Sequence, residues 1–259
     1  MDNEPILDVQ SLNVTFPDDN GGLHTLEDVT FRVHEQQFVC IIGPSGGGKT
    51  TLLRVLGGFL QPTSGNVFFR GRRLSGPCRE IGFVFQNANL MPWRTVLENI
   101  TLPLELRGLS KIEVEQQARE LLDLVGLQGF ASYYPGELSG GMAQRVAIAR
   151  VLIYDPDVLL LDEPFGALDA ITRQYMCTEL LRIWQANRKT MVMVTHSISD
   201  AVFLSDVVLV MSHRPGNISL EMPIELPRPR YEEQRYTTAF IDLARRLRDA
   251  ISIDAPLSR

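Results

Sequence analysis

Two patterns of hydrophobic residues recur along the chain and predict two kinds of β-strand. Over residues 7–16, and again around Val67 and Phe69, apolar and polar side chains alternate, as in antiparallel strands with one buried face. Five other segments are almost continuously apolar: residues 38–42, 81–85, 158–161, 191–194 and 207–211. Such runs are typical of parallel strands covered on both faces. Because helical patterns separate several of these runs, the sequence predicts an α/β fold with a mostly parallel sheet.

Strand signals are missing between residues 87 and 152. Ser110 and Glu113 have the spacing of a capping box, an apolar stripe at helical spacing follows, and Gly126 is well placed to end that helix. We therefore predict a helical subdomain, residues 87–152, inserted into a core made of residues 1–86 and 153–230. Residues 231–259 form a C-terminal tail with an amphipathic segment from residue 240 to 251. We expect that segment to pack on the core as a helix, with a membrane-surface helix as the alternative.

Length, composition and charge limit the class of protein. A chain of 259 residues with 44% hydrophobic and 22% charged residues can bury a sizeable core. The net charge of −6 argues against non-specific binding of nucleic acid, so we expect no nucleic-acid partner. No apolar run reaches the roughly 18 residues of a membrane helix, and the N-terminal residues lack a signal-peptide pattern. Cys40, Cys78 and Cys177 are widely spaced, which suits small buried residues in a reducing cytosol.

A glycine-rich motif, GPSGGGKT at residues 43–50, lies between a predicted strand and a helical run. Glycines allow successive backbone N–H groups to turn inward around an anion, and the helix N-terminus adds partial positive charge. Lys49 is expected to reach the β- and γ-phosphates of a nucleotide, and the Thr50 hydroxyl to bind Mg²⁺. The predicted nucleotide-binding residues of this segment are Gly43, Pro44, Ser45, Gly46, Gly47, Gly48, Lys49, Thr50 and Thr51.

Two carboxylates and a histidine follow other predicted strands. Asp162 and Glu163 end the apolar run at residues 158–161, and since side chains alternate along a strand they point differently. Asp162 suits the Mg²⁺ site, and Glu163 suits polarising the attacking water. The alternative is that the two acids simply start a turn before Pro164. His196 follows the run at residues 191–194 and is expected near the γ-phosphate, at the sheet edge where ligands of α/β folds gather.

Six elements in this order resemble the ATP-binding subunits of ABC transporters. They are residues 43–50, Gln86, residues 138–141 (LSGG), residues 158–163, residues 167–169 and His196. The resemblance extends from about residue 7 to residue 230. It implies a P-loop NTPase core with a mostly parallel sheet, an antiparallel β subdomain and an inserted helical subdomain.

This resemblance also implies roles for single residues. Phe16 matches the aromatic residue that stacks on adenine, with a core strand position as the alternative. Gln86 matches the glutamine that contacts Mg²⁺ and the attacking water. Glu163 matches the catalytic base, and His196 matches the switch histidine. ATP and Mg²⁺ are therefore the expected ligands.

Further matches lie at the expected interface between two ATPase subunits. Ser139, Gly140 and Gly141 match the signature that faces the γ-phosphate held by the opposite subunit, and Asp169 matches the loop that crosses the dimer interface. Two residues depart from the family pattern: Met142 stands where glutamine is common, and Ser197 where aspartate is usual. Ser197 can still cap the next helix together with Asp200. An active ATPase is therefore expected.

Three segments resemble one importer branch, which serves nitrate, alkanesulfonates, taurine, bicarbonate, cyanate and thiamine-precursor pyrimidines. They are residues 90–99 (LMPWRTVLEN), the signature with Met142, and Arg214-Pro215-Gly216 together with residues 226–230. Trp93 has packing within the helical subdomain as its alternative. The resemblance implies a peripheral ATPase at the cytoplasmic face of the inner membrane. Its implied partners are a second ATPase subunit, identical or paralogous, permease subunits and, indirectly, a solute-binding protein.

Three other functions remain open from the sequence. The first is the ATPase of an exporter or lipid transporter. The second is an ABC ATPase of translation or DNA maintenance, although a single cassette without sustained heptads argues against it. The third is a binding module that does not hydrolyse ATP, against which the presence of Lys49, Asp162, Glu163 and His196 argues.

Overall fold

The computed structural model of the chain describes residues 4–18, 22–166 and 168–253. Its contacts divide the chain into two compact units. The first unit comprises Met1–Cys78 and Lys189–Arg259, and the second comprises Arg79–Arg188. The domain boundaries given above, at residues 86/87, 152/153 and 230/231, remain a prediction.

Within these ranges the chain forms ten β-strands and seven α-helices. The strands are β1 (Leu7–Phe16), β2 (Leu23–Val33), β3 (Phe38–Ile42), β4 (Ser64–Phe69), β5 (Arg72–Arg73), β6 (Ile81–Val84), β7 (Val158–Asp162), β8 (Thr190–Val194), β9 (Val207–Met211) and β10 (Ile218–Pro223). The helices are α1 (Lys49–Leu56), α2 (Val96–Glu105), α3 (Lys111–Leu124), α4 (Gly140–Leu152), α5 (Ala170–Asn187), α6 (Ile198–Leu204) and α7 (Thr238–Ile253). All seven strand segments predicted from the apolar patterns are therefore confirmed as strands.

The first unit contains a four-stranded antiparallel sheet in the order β2-β1-β4-β5. On β1 the apolar residues Leu7, Val9, Leu12 and Val14 are buried, as the alternating pattern predicts. The pairing of β1 with β2 contains several register shifts. Because those irregularities break the two-residue period, β2 carries a weaker strand signal in the sequence.

The first unit also contains a group of parallel strands. Strand β3 lies between β8 and β9 and runs parallel to both, so that Ile41 pairs with Val194 on one side and Leu209 on the other. All five residues of β3 are buried, which confirms the prediction of a strand covered on both faces. Cys40 lies at its centre, and burial raises the pKa of its thiol above the usual range, as expected for a small core residue. Cys177 is also buried, but Cys78 is only half-buried.

In the second unit, β6 and β7 pair in parallel, and helices α2, α3 and α4 lie between them in the chain. The segment that lacks strand signals in the sequence, residues 87–152, thus contains helices and no strand. Ser110 stands at the N-cap position of α3, and Gly126, with φ +67°, follows its C-cap. The side chain of Glu113 lies outside the described residues. A capping box that the sequence analysis missed starts α2: the Thr95 Oγ1 accepts from the Glu98 N–H, and the Glu98 carboxylate accepts from the Thr95 N–H.

The C-terminal segment of the first unit is tied to the end of α6 by a buried arginine. The Arg230 guanidinium, in a residue only 4% exposed, donates to the carbonyl oxygens of Val202, Phe203 and Ser205 at 2.7–3.1 Å. It also donates to Ile224 and Leu226 at 3.3–3.4 Å. Burial lowers the pKa of Arg230 to about 10, which leaves it charged at neutral pH. The side chain therefore satisfies carbonyl groups that the end of a helix leaves unpaired.

The tail after residue 231 forms α7, as the amphipathic pattern predicts. Phe240 and Leu247 on this helix are buried, which confirms that it packs on the rest of the first unit. In the described ranges, no helix combines the length and apolar character needed to cross a membrane.

We predict that Arg230→Met destabilises the protein by about 3 kcal/mol, because the buried carbonyl groups lose their donor while the apolar stem is kept. The free energy of unfolding is measured by chemical denaturation. Arg246→Met serves as the matched control, since Arg246 lies exposed on α7, and it should change stability by less than about 0.5 kcal/mol. Equal losses in the two variants would contradict this role of Arg230.

Candidate functional site

The glycine-rich loop at residues 43–50 follows β3 and leads into α1, as the sequence predicts. Its backbone lies so close to its neighbours that side chains are excluded. A Cβ on Gly43 would lie 2.5 Å from the Met211 carbonyl oxygen, and one on Gly48 would lie 2.6 Å from the Leu26 side chain. Gly48 also has φ +92°, at the N-cap of α1. The loop therefore requires glycine at these positions for both space and backbone conformation.

Lys49 is the first residue of α1 and is 7% exposed. Its Nζ donates to the carbonyl oxygens of Gly43 at 2.9 Å and Pro44 at 2.7 Å. The ammonium group is thus held over the loop to which it belongs. Thr50 and Thr51 follow in the first turn of α1, where backbone N–H groups and the helix dipole favour an anion. This arrangement fits the phosphate groups of a nucleotide.

His196 lies at the same edge of the parallel strands as the glycine-rich loop at residues 43–50, which we name the phosphate loop. The N–H of the preceding residue, Thr195, donates to the Ile41 carbonyl oxygen at 3.1 Å. Neighbouring strands β3 and β8 therefore deliver the loop and His196 to one sheet edge. Ser197 caps α6 by accepting from the Asp200 N–H at 3.2 Å, which confirms the cap expected despite the family departure. Phe16 ends β1 and is 36% exposed, so it does not occupy the core strand position that was its alternative.

The second unit holds the two carboxylates. Asp162 ends β7 and is 6% exposed, whereas Glu163 is half-buried. A Cβ added to Gly166 would lie 3.4 Å from the Glu163 carboxylate Oε2 and 3.7 Å from the Gln86 side-chain nitrogen. The structure thus brings Glu163 and Gln86 to the same place, since each follows one of the paired strands β6 and β7. Two side chains can act on the same water molecule only if they lie this close together, as Glu163 and Gln86 do.

Glu163 has a strained backbone. Its φ is +42°, in the left-handed region that favours glycine, and such a conformation costs about 1–3 kcal/mol. Its carbonyl oxygen accepts from the Gly166 N–H at 3.0 Å, which closes the turn that follows β7. The turn therefore aims Glu163 differently from the buried Asp162, and strain of this kind is concentrated at functional sites.

The signature segment begins α4. Ser139 is the N-cap, and its Oγ accepts from the Met142 N–H at 3.3 Å. Ser139 and Gly140 are exposed, whereas Gly141 is buried. A Cβ on Gly141 would lie 3.3 Å from the Thr172 side chain on α5. Glycine at this position therefore allows α4 and α5 to approach closely while the helix N-terminus stays open to an anion.

Asp169 is the N-cap of α5 and is exposed. Its carboxylate accepts from the N–H groups of Ile171 at 3.1 Å and Thr172 at 3.0 Å. Hydrogen bonds, the largest from the Thr172 side chain, hold the pKa of Asp169 below its usual range. The adjacent Leu168 side chain lies 3.6 Å from the Cβ position of Gly140, so the 168–169 segment lies beside the signature. Ala167 lies outside the described residues.

Two residues of α4 fix the loop that carries Gln86, and the sequence analysis missed both. The Gln144 amide, in a residue 4% exposed, donates to the Phe85 carbonyl oxygen at 3.1 Å. Arg150 donates to the carbonyl oxygens of Ala88 and Asn89, at 2.8 Å each. Burial lowers the pKa of Arg150. The only signal in the sequence is a polar residue, Gln144, on the otherwise apolar side of α4.

Trp93 and its surroundings form an open groove in the second unit. Trp93 is 72% exposed, so its alternative, packing within the helical subdomain, is wrong. The groove has a volume of about 440 Å³ and is lined by Trp93, Arg94, Glu98, Glu105 and Leu109. Arg94 pairs with Glu105 at 2.8 Å. The buried Asn99 accepts from the Met91 N–H and donates to the carbonyl oxygens of Met91, Arg94 and Thr95. The exposed indole is therefore presented on a well-ordered turn.

The predicted Mg²⁺ ligands are all oxygen donors: the Thr50 hydroxyl, the Asp162 carboxylate and the Gln86 amide. Mg²⁺ usually binds through one or two protein groups together with substrate phosphates and water, and this donor set fits that chemistry. Among residues 4–18, 22–166 and 168–253, no group of three or more His, Cys, Asp or Glu side chains could hold a metal by itself.

The sequence and the fold of this chain are similar to those of known proteins. The model of the family described as ABC transporter matches residues 26–166. The chain is 46% identical to a nitrate import ATP-binding protein of Synechocystis sp., over 85% of this chain and 83% of that protein. It is 43% identical to an aliphatic sulfonates import ATP-binding protein of Bacillus cereus, over 86% and 87% respectively. A solved dimeric ATP-binding cassette, bound to ADP and phosphate, has a TM-score of 0.75 and 33% identity, covering 85% of this chain and 100% of that chain.

We predict that Arg150→Met loosens the loop at residues 86–89, because two carbonyl groups lose their donor. Hydrogen exchange of the backbone N–H groups in this loop should become about tenfold faster. Arg145→Met is the control on the same helix, since Arg145 donates instead to the carbonyl oxygens of Val125 and Gly126. Exchange that is unchanged in Arg150→Met, or that is raised equally by both variants, would contradict this role.

Proposed function

Because the chain belongs to the ABC transporter family as an ATP-hydrolysing subunit, we propose that it powers an importer of small anions or small organic solutes. The observation that carries the proposal is the identity of 43–46% with import ATP-binding proteins for nitrate and sulfonates, over more than four fifths of the chain. The importer segments at residues 90–99 and 226–230 support it. The transported solute belongs to the nitrate, sulfonate, taurine, bicarbonate or pyrimidine-precursor group.

In the proposed reaction, water attacks the γ-phosphorus of ATP, the bond to the β-phosphate oxygen breaks, and ADP and phosphate leave. Lys49 and backbone N–H groups among residues 45–51 bind the phosphates. Glu163 accepts a hydrogen bond from the attacking water and takes its proton. His196 contacts the γ-phosphate, and Phe16 stacks on adenine. Thr50, Asp162 and Gln86 are the proposed ligands of Mg²⁺, which neutralises charge on the phosphates when bound.

The signature requires a second subunit in this proposal. Ser139 and Gly140, at the N-terminus of α4, are exposed. A helix N-terminus binds an anion only when the anion lies against it, so the nucleotide must be brought to the signature. We propose that two ATPase subunits enclose two ATP molecules, each between the phosphate loop of one subunit and the signature of the other. Asp169 lies at the interface between them. The dimeric relative bound to ADP and phosphate supports this arrangement.

The work is passed to permease subunits through the second unit. The groove beside Trp93 combines an exposed aromatic ring with Arg94, and both residue types are enriched in protein interfaces. ATP shifts the equilibrium toward the closed dimer only to the extent that it binds the closed state more tightly than the open state.

In this proposal the protein works at the cytoplasmic face of the inner membrane. A solute-binding protein acts with the permease and does not contact the ATPase.

The test is to purify a tagged copy from gently solubilised native membranes and to identify what accompanies it. A multi-span permease and a solute-binding protein support the importer, and the ligand of that binding protein names the solute. A permease without a solute-binding protein would favour an exporter or lipid transporter. Ribosomal or DNA-bound proteins in place of a permease would overturn the transport function.

We predict that Glu163→Gln binds ATP with nearly normal affinity but lowers kcat by about 10²–10⁴-fold, because the water loses its proton acceptor. The dimer should accumulate in the presence of ATP, as measured by light scattering coupled to gel filtration. Glu137→Gln is a matched control, since Glu137 is exposed and instead accepts from the Tyr134 N–H. Near-normal turnover in Glu163→Gln would rule out Glu163 as the base.

We predict that Ser139→Arg abolishes hydrolysis while each subunit still binds ATP, because a bulky side chain at the N-terminus of α4 blocks the approach of the second subunit. Equilibrium ATP binding and steady-state turnover are measured on the same preparation. Ser132→Arg, at an exposed position before the signature, controls for the added charge. Full activity in Ser139→Arg would contradict the two-subunit site.

A further inference from the structure

The loop between β9 and β10, residues 212–217 (SHRPGN), packs against the phosphate loop within the first unit. We name it the brace loop. The Ser212 carbonyl oxygen lies 2.7 Å from the position of a Cβ on Gly47, and a Cβ on Gly216 would collide with the Gly47 carbonyl oxygen. The two loops are thus in backbone-to-backbone contact. Neither could shift much without moving the other.

The brace loop is itself held firmly. The Ser212 N–H donates to the Asn217 carbonyl oxygen, and the Asn217 N–H donates to the Ser212 Oγ, each at 3.0 Å. The Gly216 N–H donates to the Thr25 carbonyl oxygen at 2.9 Å, and the Gly216 carbonyl oxygen accepts from the Glu27 N–H at 3.0 Å. These bonds close the loop and anchor it to β2. A side chain carried by the brace loop therefore has a defined position relative to the phosphate loop.

Arg214 is the charged residue that the brace loop directs at the phosphate loop. Its Nε donates to the Gly46 carbonyl oxygen at 3.3 Å, and its Nη2 lies 3.7 Å from the position of a Cβ on Gly46. The other side of the same peptide, the Gly47 N–H, donates to the Pro44 carbonyl oxygen at 3.2 Å. Because the peptide is planar, a guanidinium that holds its carbonyl also sets the direction of its N–H. While the Gly46 carbonyl oxygen accepts the hydrogen bond from Arg214, it cannot turn toward a bound anion, which it would repel.

We propose that Arg214 is a positioning residue for nucleotide binding, which orients the peptide between Gly46 and Gly47 and adds positive charge beside the phosphate loop. This inference rests on the proposed function and deepens it, by naming a cation outside residues 43–51. A polyphosphate gains from a positive charge near its site, and at an exposed residue such as Arg214 that gain is screened by salt. Arg214 therefore tightens the binding of ATP and ADP, most strongly at low ionic strength.

The primary test measures the dissociation constant of Mg²⁺-ADP by calorimetry at low and high salt. Arg214→Ala is compared with Arg72→Ala, which removes another exposed charge, from the edge strand β5. We expect Arg214→Ala to raise the dissociation constant about two- to fivefold at low salt, and less at high salt. Arg72→Ala should leave it unchanged. No change in Arg214→Ala, or an equal change in both variants, would overturn the proposal.

Three further measurements separate positioning from other causes. Arg214→Lys keeps the charge but loses the bond from Nε, so its affinity should lie between those of the wild type and Arg214→Ala. In turnover assays, Arg214→Ala should raise KM for ATP more than it lowers kcat. A fall in the unfolding midpoint of the nucleotide-free protein, large enough to explain the lost affinity, would assign Arg214 a structural role and overturn the proposal.

Lys49→Ala separates the failure of this proposal from the failure of the nucleotide site. If Lys49→Ala weakens ADP binding strongly and Arg214→Ala does not, the phosphate loop stands and the role of Arg214 is wrong. If Lys49→Ala binds ADP normally, the proposed phosphate site itself is wrong, and the role of Arg214 falls with it.

Discussion

The phosphate loop depends on close backbone contacts that leave no room for side chains. Gly43 approaches the end of β9, and Gly47 approaches the loop that follows β9. Both contacts exist because β3 is buried between β8 and β9, with all three strands ending at one edge. Backbone N–H groups bind an anion well only when their directions are set in advance. The buried parallel strands set these directions, and the positions of Lys49 and His196 follow from the same arrangement.

A second constraint acts at the end of β7. The chain leaves a fully buried strand and brings Glu163 to a half-buried position, and it does so because Glu163 itself adopts a left-handed conformation. Two helices, α4 and α5, begin nearby with exposed N-caps at Ser139 and Asp169. Gly141 allows them to pack closely. The second unit therefore places Glu163 and two helix N-termini together by ending a strand and beginning helices.

Much of this architecture could be predicted from local patterns. The apolar runs located every parallel strand, and the alternating run located β1, because strand periodicity survives in a few consecutive residues. Strand β2 is harder to recognise, since its register shifts break the period. The sequence leaves packing of Trp93 within the helical subdomain open, but the turn ordered by Asn99 exposes its side chain. The capping box of α2 is encoded locally by Thr95 and Glu98, three residues apart, and is therefore recognisable in the sequence.

The sequence by itself determined the family and identified the candidate chemical groups: the glycine-rich loop, the acids after β7 and the segment at residues 138–141. Those features are encoded in short segments, where residue type and spacing are sufficient. Only the tertiary structure decided the supporting contacts. Arg214 bonds to Gly46 across 168 positions of sequence, and Arg150 bonds to Ala88 across 62. The residues next to an arginine in the sequence do not indicate which distant carbonyl group it will bind, because the packing of strands and helices determines that partner.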